Sequence, residues 1–291
     1  MKGKTIVNWK QITFIFISGI NILLSALHLR NIIRSALEKI MAYYTYEIIF
    51  GHVIIKRRGY ADFMWKIMGH TSLEWEFLSS LDLKGKSIYD IGGHTGLLAI
   101  FFSKSAGAKG QVIIFEPNEE NYNQIHDNLQ MNGVNNARLF NIGIGDKEEN
   151  RIITVRHSES ATGTIDERIQ AQIVKEGNFK QLEVKVDTLD NIISTNGLPK
   201  PDFIKIDIEG MEYYALLGMY NTIYRYSPSL HIEIHGNLFD EPNKIENISR
   251  IVNLLQSWGY SIWHIESKQN ITTNNYQIGE EGHIFAQWGS V

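Results

Sequence analysis

The run Asp90-Ile91-Gly92-Gly93-His94-Thr95-Gly96 places an acid ahead of three glycines, where the apolar stretch SIYDI meets a helix-forming one. Gly92 and Gly93 permit a sharp turn and close approach of the backbone to a ligand. The helix that follows offers unpaired N–H groups in its first turn. The spacing is D-x-G-x-x-x-G. A dinucleotide loop needs G-x-G-x-x-G and a phosphate loop needs G-K-[ST], and this run has neither pattern. A leading carboxylate repels a pyrophosphate and suits a ligand with a cationic end. Glycines alone more often make a turn with no ligand, so the partners of this loop decide its meaning.

Glu116 is the first partner. It stands 20 residues past Gly96, at the tip of the β-branched run QVIIFEP. An acid at such a strand tip can accept both hydroxyls of a ribose. Asp146, after the next strand, is placed to meet an adenine amino group, and beside Gly145 it fits a plain turn equally well. Together these residues describe a pocket for a nucleoside with a cationic, non-phosphate tail. S-adenosylmethionine meets that description.

A second group of polar residues follows. In PDFIKID, alternation brings Asp207 out at the carboxyl end of a strand; Glu209 follows on the loop, and Gly210 permits the turn into a helix. Methyl transfer from a sulfonium is an in-line displacement. It needs an aligned acceptor oxygen and, for a hydroxyl, a base to take its proton. Asp207 or Glu209 fits that role. Glu209 and Glu212 also fit a simpler one, as acids in the positive first turn of a helix. Glu233 and His235 end a neighbouring strand, on the side that Asp207 occupies by parity. Asp207, Glu233 and His235 are therefore candidate ligands for a metal, with Mg²⁺ the ion that carboxylates suit, against the simpler alternative of three solvated strand ends.

The segments DIGGHTG, FEPNEENY, NIGIGD, VDTLDNI and IKIDIEGMEYYALLG, in this order, resemble the FkbM-type S-adenosylmethionine-dependent methyltransferases. The likeness runs over roughly residues 60–235 and implies a class I methyltransferase fold and O-methylation of a sugar, glycoside or glycolipid. It implies that Asp90, Gly92, His94, Thr95, Gly96, Glu116 and Asp146 line the cofactor and that Asp207 faces the reacting methyl group. Family members more often carry Ala where this chain has Gly93. Two other readings fit a similar sheet: a nicotinamide-dependent oxidoreductase, which the glycine spacing disfavours, and a non-catalytic, membrane-tethered binding module.

Positioning these residues takes alternating strands and helices. Strands are expected at 87–93, 111–117, 137–146, 201–207 and 229–235, with helices at 96–106, 118–133, 211–220 and 244–258, and 260–266 and 283–289 as a closing antiparallel pair. Asn118 is a good N-cap, followed by Glu119 and Glu120. Earlier, 46–58 reads as two short strands around Gly51 and 62–81 as a helix. Residues 151–187 read as an inserted excursion, with strands at 153–155 and 182–186 around a polar stretch. The order predicts an α/β fold: a class I methyltransferase (Rossmann-like) doubly wound sheet with a C-terminal antiparallel strand pair, behind an N-terminal helical segment. Residues 46–291 form the methyltransferase domain in this scheme, and 1–45 a separate head.

That head holds six basic residues against one acid in a chain whose net charge is −4, so the remainder is distinctly acidic. An acidic body is a poor partner for nucleic acid. Residues 12–29 carry no formal charge, at the lower edge of the length needed to span a bilayer, and 29–44 keep amphipathic helical spacing. The head fits a membrane surface, or a helix packed on the domain or on a second subunit. The expected address is the cytoplasm, with the head as a membrane attachment in the first case, and the expected partner is a small-molecule or glycan acceptor. The chain has no cysteine, which excludes disulfides, thiolate metal sites and a cysteine nucleophile.

Overall fold

The structure, a computed structural model, describes residues 45–50, 53–57, 73–156, 163–164, 166–177, 179–239 and 241–289. The expected head helices, and the part of the 62–81 helix before Leu73, lie outside the described residues. The chain divides into two units, Met1–Ser79 and Ser80–Val291. In the first, β1 (Tyr46–Phe50) and β2 (Val53–Arg57) pair antiparallel, with Ile48 opposite Ile55. Alternation buries Ile48, Val53 and Ile55 and leaves Ile49 and Ile54 exposed. Helix α1 (Leu73–Ser80) runs to the unit boundary.

The second unit is built on an eight-stranded sheet. Its first parallel strands are β3 (Ser87–Ile91), β4 (Gln111–Phe115) and β5 (Ala137–Phe140), linked by α2 (Leu97–Ala106) and α3 (Glu119–Met131). Parallel strands buried on both faces read as continuous apolar runs, and every residue of Ile88–Ile91 and Val112–Phe115 is buried. Asn118 caps α3 by accepting from Glu120 N at 3.0 Å, as the sequence predicts.

The chain then leaves the sheet. The expected single strand over 137–146 is two pieces, β5 and β6 (Gly143–Ile144), in different sheets. Asn141 between them donates through Nδ2 to Glu116 O at 2.9 Å and Pro117 O at 3.0 Å, which pins the chain at the tip of β4. A second sheet follows, in the order β6, β9 (Phe179–Asp187), β7 (Glu149–Arg156), β8 (Gly163–Thr164). This is the expected excursion, with longer strands than the apolar cores suggest and a helix, α4 (Glu167–Glu176), inside the polar stretch.

Helix α5 (Leu189–Asn196) leads back to β10 (Phe203–Ile206), and β11 (Ser229–Ile234) follows. Between them the expected helix over 211–220 is two short ones, α6 (Glu212–Leu217) and α7 (Tyr220–Tyr226). The break falls at Gly218, where a Cβ would lie 1.8 Å from the carbonyl oxygen of Gly145. Asp190 supports the restart of the helix: its carboxylate accepts from Asn221 N at 2.9 Å and Thr222 N at 2.8 Å.

Helix α8 (Glu241–Ser257) buries Ile248, Ile251, Val252 and Leu255 at helical spacing. β12 (Tyr260–His264) and β14 (Gly282–Trp288) form the expected antiparallel pair, with β13 (Gln269–Ile271) added at the edge. The sheet order is β13-β12-β14-β11-β10-β3-β4-β5, parallel from β11 to β5. The strand order reverses between β3 and β10, so a crevice opens beyond their carboxyl ends.

Candidate active site

The crevice is lined at β3 by Ile91 and Gly92, at β4 by Phe115 and Glu116, at β10 by Asp207, and past β11 by His235. The glycine loop is fastened to the tip of β4. Gly92 N and Gly93 N both donate to Phe115 O at 3.0 Å, and His94 N donates to Glu116 Oε2 at 2.8 Å. Three positive φ values, 83° at Gly92, 51° at His94 and 81° at Gly96, turn the chain sharply into α2. Gly92 has a further reason to be glycine: a Cβ there would lie 1.8 Å from the Asp207 carbonyl oxygen. Gly93 is constrained less severely and by side chains alone: its Cβ would stand 2.5 Å from Ile114 Cγ2. The Ile114 and Ile125 side chains thus leave little room for an alanine at this position.

Glu116 is buried, and its second oxygen accepts from Asn118 N at 2.9 Å and Asn121 Nδ2 at 3.4 Å. Burial raises its pKa from 4.5 to about 7, against the pull of those N–H donors. Apolar walls come from Phe115, Ile142, Ile144, Met211 and, from the second sheet, Ile153. The excursion therefore contributes to the cleft.

Of the expected cofactor residues, Gly92, His94 and Glu116 line the cleft, and Asp90, Thr95, Gly96 and Asp146 do not. Asp90 lies wholly buried on β3 beneath the loop, with Lys205 Nζ 3.4 Å from its Oδ1. Burial raises its pKa, and Lys205 partly offsets this. Thr95 presents its carbonyl to Asn128 Nδ2 at 2.9 Å, and Gly96 caps α2. Asp146 follows β6, on the turn against which Gly218 packs.

The acidic group expected at the other strand ends does converge. His235 Nε2 lies 3.5 Å from Asp207 Oδ1, 3.7 Å from Glu209 Oε2 and 3.7 Å from Glu233 Oε1. Its Nδ1 lies 3.3 Å from Glu212 Oε1. Burial alone would depress this imidazole, yet Glu212, Asp207 and Glu209 raise its pKa to about 11. Asp207 goes the other way: burial would raise it, but Lys205 and His235 hold it well below the ordinary carboxylate range. Glu209, at φ 54° on the loop after β10, is pushed up to about 7 by burial, with His235 pulling it down and Asp207 pushing it up. Asp207, Glu233 and His235 also offer ligand atoms within 4.8 Å of one another, a set able to hold a metal ion.

Glu212, read as an acid in the first turn of a helix, is fully buried there; its Oε1 accepts from Gly210 N at 3.0 Å and also faces His235. One residue escaped the sequence reading. Lys205 is buried in β10, among Ile204, Ile206 and Phe203. The signal for Lys205 was present: a lysine inside the run FIKI requires a buried charged partner.

A reversed-order parallel sheet, a glycine loop after its first strand and an acid at the tip of the second define a class I, Rossmann-like methyltransferase fold. Residues 90–262 match the family described as the methyltransferase FkbM domain, more than half of the chain, and the chain belongs to that family. A curated relative, the hexuronic acid methyltransferase AglP of Haloferax volcanii, is 23% identical over 156 residues, which cover 52% of this chain and 56% of the relative. Among solved structures, methyltransferase FkbM from Methylobacillus flagellatus superposes with TM-score 0.47 at 16% identity, over 77% of this chain and 52% of that one. The chain thus spans about half the length of both relatives. The O-methyltransferase TomG of Streptomyces achromogenes, solved with S-adenosylmethionine, gives TM-score 0.42 at 12% identity, over 70% of this chain and 74% of that one.

Proposed function

We propose that this chain moves the methyl group of S-adenosylmethionine to a hydroxyl of a sugar, glycoside or glycolipid. The observation that carries the reading is the meeting, at one crevice, of a cofactor-type loop bound to Glu116 with the group Asp207, Glu209 and His235. Glu116 and the Gly92–His94 backbone hold the nucleoside, and the apolar walls exclude water from the sulfonium. The acceptor oxygen attacks the methyl carbon in line, the carbon–sulfur bond breaks, and S-adenosylhomocysteine leaves. Asp207, already engaged by Lys205 and His235, orients the acceptor. Glu209 lines the cleft, has no lysine partner among the described residues, and takes the hydroxyl proton.

The name of the Haloferax relative supports a sugar acceptor. Glu116, Asp207, Glu209 and Glu233 all line the cleft, so a neutral hydroxyl is a better neighbour there than a uronate carboxylate. The test has two steps. Calorimetry with S-adenosylmethionine should show binding to the full chain. Methyl-labelled cofactor should then mark neutral glycosides in preference to hexuronosides by mass spectrometry; absence of cofactor binding sinks the proposal.

The convergence of Asp207, Glu233 and His235 favours a second reading of the same mechanism. In it Asp207, Glu233 and His235 would hold a divalent ion such as Mg²⁺, which would supply a Lewis acid to lower the pKa of the acceptor hydroxyl. We propose in addition that the basic head, residues 1–45, attaches the protein to an anionic bilayer, a reading that co-sedimentation of the full chain with phosphatidylserine vesicles tests.

A further inference from the structure

We propose that Lys205 is a positioning residue of the methyl-transfer site: its buried ammonium locks the cofactor loop at Gly92 onto the carboxylate of Asp207. The inference rests on the cleft being the cofactor site, as set out above.

Lys205 lies inside a parallel strand, paired in register with Asp90 of β3 on one side and His231 of β11 on the other. It is 2% exposed. Its Nζ donates to Gly92 O at 2.8 Å and lies 3.1 Å from Asp207 Oδ2 and 3.4 Å from Asp90 Oδ1. The three partners belong to different pieces of chain: the interior of β3, the loop after it, and the end of β10. One cation thus fixes the distance between the loop that approaches the cofactor and the carboxylate that faces the acceptor.

Stability does not account for a lysine here. Replacing a buried ion pair by well-packed apolar residues is often neutral or favourable, and Phe203, buried two residues earlier on the same face of the strand, shows that an apolar side chain fits this layer. What the ammonium adds is direction. It takes one oxygen of Asp207, leaving the other 3.5 Å from His235 Nε2, so the carboxylate plane is set by two neighbours, the ammonium and the imidazole. It also takes the carbonyl of Gly92, whose missing Cβ lets the Asp207 backbone approach; Asp207 N donates to Ile91 O at 3.0 Å in the same junction. Backbone contact and side-chain clamp join the same two strand ends. Catalysis by alignment is sensitive to displacements of about 1 Å, the scale on which such a clamp acts.

The experiment compares the full-length wild type, Lys205→Met, Asp90→Asn and the double variant Lys205→Met/Asp90→Asn. Calorimetric titration with S-adenosylmethionine is read beside the melting temperature of each. Lys205→Met should melt lower, because Asp90 is left buried without its cation, and should bind at least tenfold more weakly. The double variant should regain most of the melting temperature yet still bind at least tenfold more weakly than Asp90→Asn alone. A purely structural lysine predicts the opposite, affinity that returns together with stability. Binding by the double variant within twofold of Asp90→Asn overturns the proposal, as does failure of every Lys205 variant to fold, which assigns the residue to the core. Wild type that binds no cofactor overturns the proposed function itself, a result distinct from equal binding by wild type and variants.

Discussion

At the residue scale the site is a set of acids, each held differently. Glu116 is buried and carries N–H donors on both oxygens. A ribose would add donors of its own, so Glu116→Gln should weaken S-adenosylmethionine by about 1.5–3 kcal/mol, the scale of charged hydrogen bonds, as read by calorimetry. The same residue gives a pH prediction. Its folded pKa is raised from 4.5 to about 7, so between those values the folded chain keeps a proton that the unfolded chain has lost. Stability from this group is therefore present below pH 4.5 and falls as pH rises to 7. The melting temperature of ligand-free Glu116→Gln, relative to wild type, should be higher at pH 8 than at pH 5; the reverse trend contradicts a buried, reluctant carboxylate. Asp207→Asn should preserve the fold and cut turnover by about 10²-fold with an identified acceptor, the scale of a misaligned acceptor, while changing cofactor affinity less than Glu116→Gln does. If the divalent-ion reading holds, Mn²⁺ should bind the wild type in an electron-resonance titration and bind His235→Ala at least tenfold more weakly.

At the element scale the folding rules read cleanly wherever a signal was local. Strand β4, the Asn118 cap and helix α8 follow from apolar runs, capping chemistry and 3.6-residue spacing. The misjudged elements have non-local causes. Residues 137–146 look like one β run, and only the Asn141 side chain binding back to the tip of β4 divides it between two sheets. The helix after β10 has no breaking residue except Gly218, and its break depends on Gly145, far away in sequence. Gly218→Ala should therefore destabilise the protein by about 1–3 kcal/mol in denaturant melts, although alanine is the better helix former. A neutral or stabilising outcome would show that β6 can yield. The VDTLD segment, one of those that carry the family likeness, serves as structure here. Asp187 accepts from Thr188 N at 2.7 Å at the start of α5, and Asp190 caps α7.

At the scale of the whole molecule, the cleft, the eight- and four-stranded sheets and every residue proposed for the cleft belong to the unit Ser80–Val291. A chain starting at residue 80 should fold and bind S-adenosylmethionine, with cooperative melting and calorimetry as the measurements; loss of both would show that the first unit completes the core. By itself, the sequence determined the alternation of strands and helices, the loop after the first sheet strand and the acids at the strand tips. These follow from spacing along the chain, which periodicity and turn chemistry report directly. Parity was enough to put Asp207, Glu233 and His235 on one side. Tertiary structure alone decided which acids reach the cleft and which are spent beneath it. Asp90 and Asp207 have the same side chain near the same junction, yet Asp90 is enclosed on β3 while Asp207 opens into the crevice. Lys205, which pairs with both, is linked to Gly92 across more than a hundred residues. The ionisation of such groups depends on burial and on neighbours brought together from distant segments, and neither quantity is encoded in local sequence.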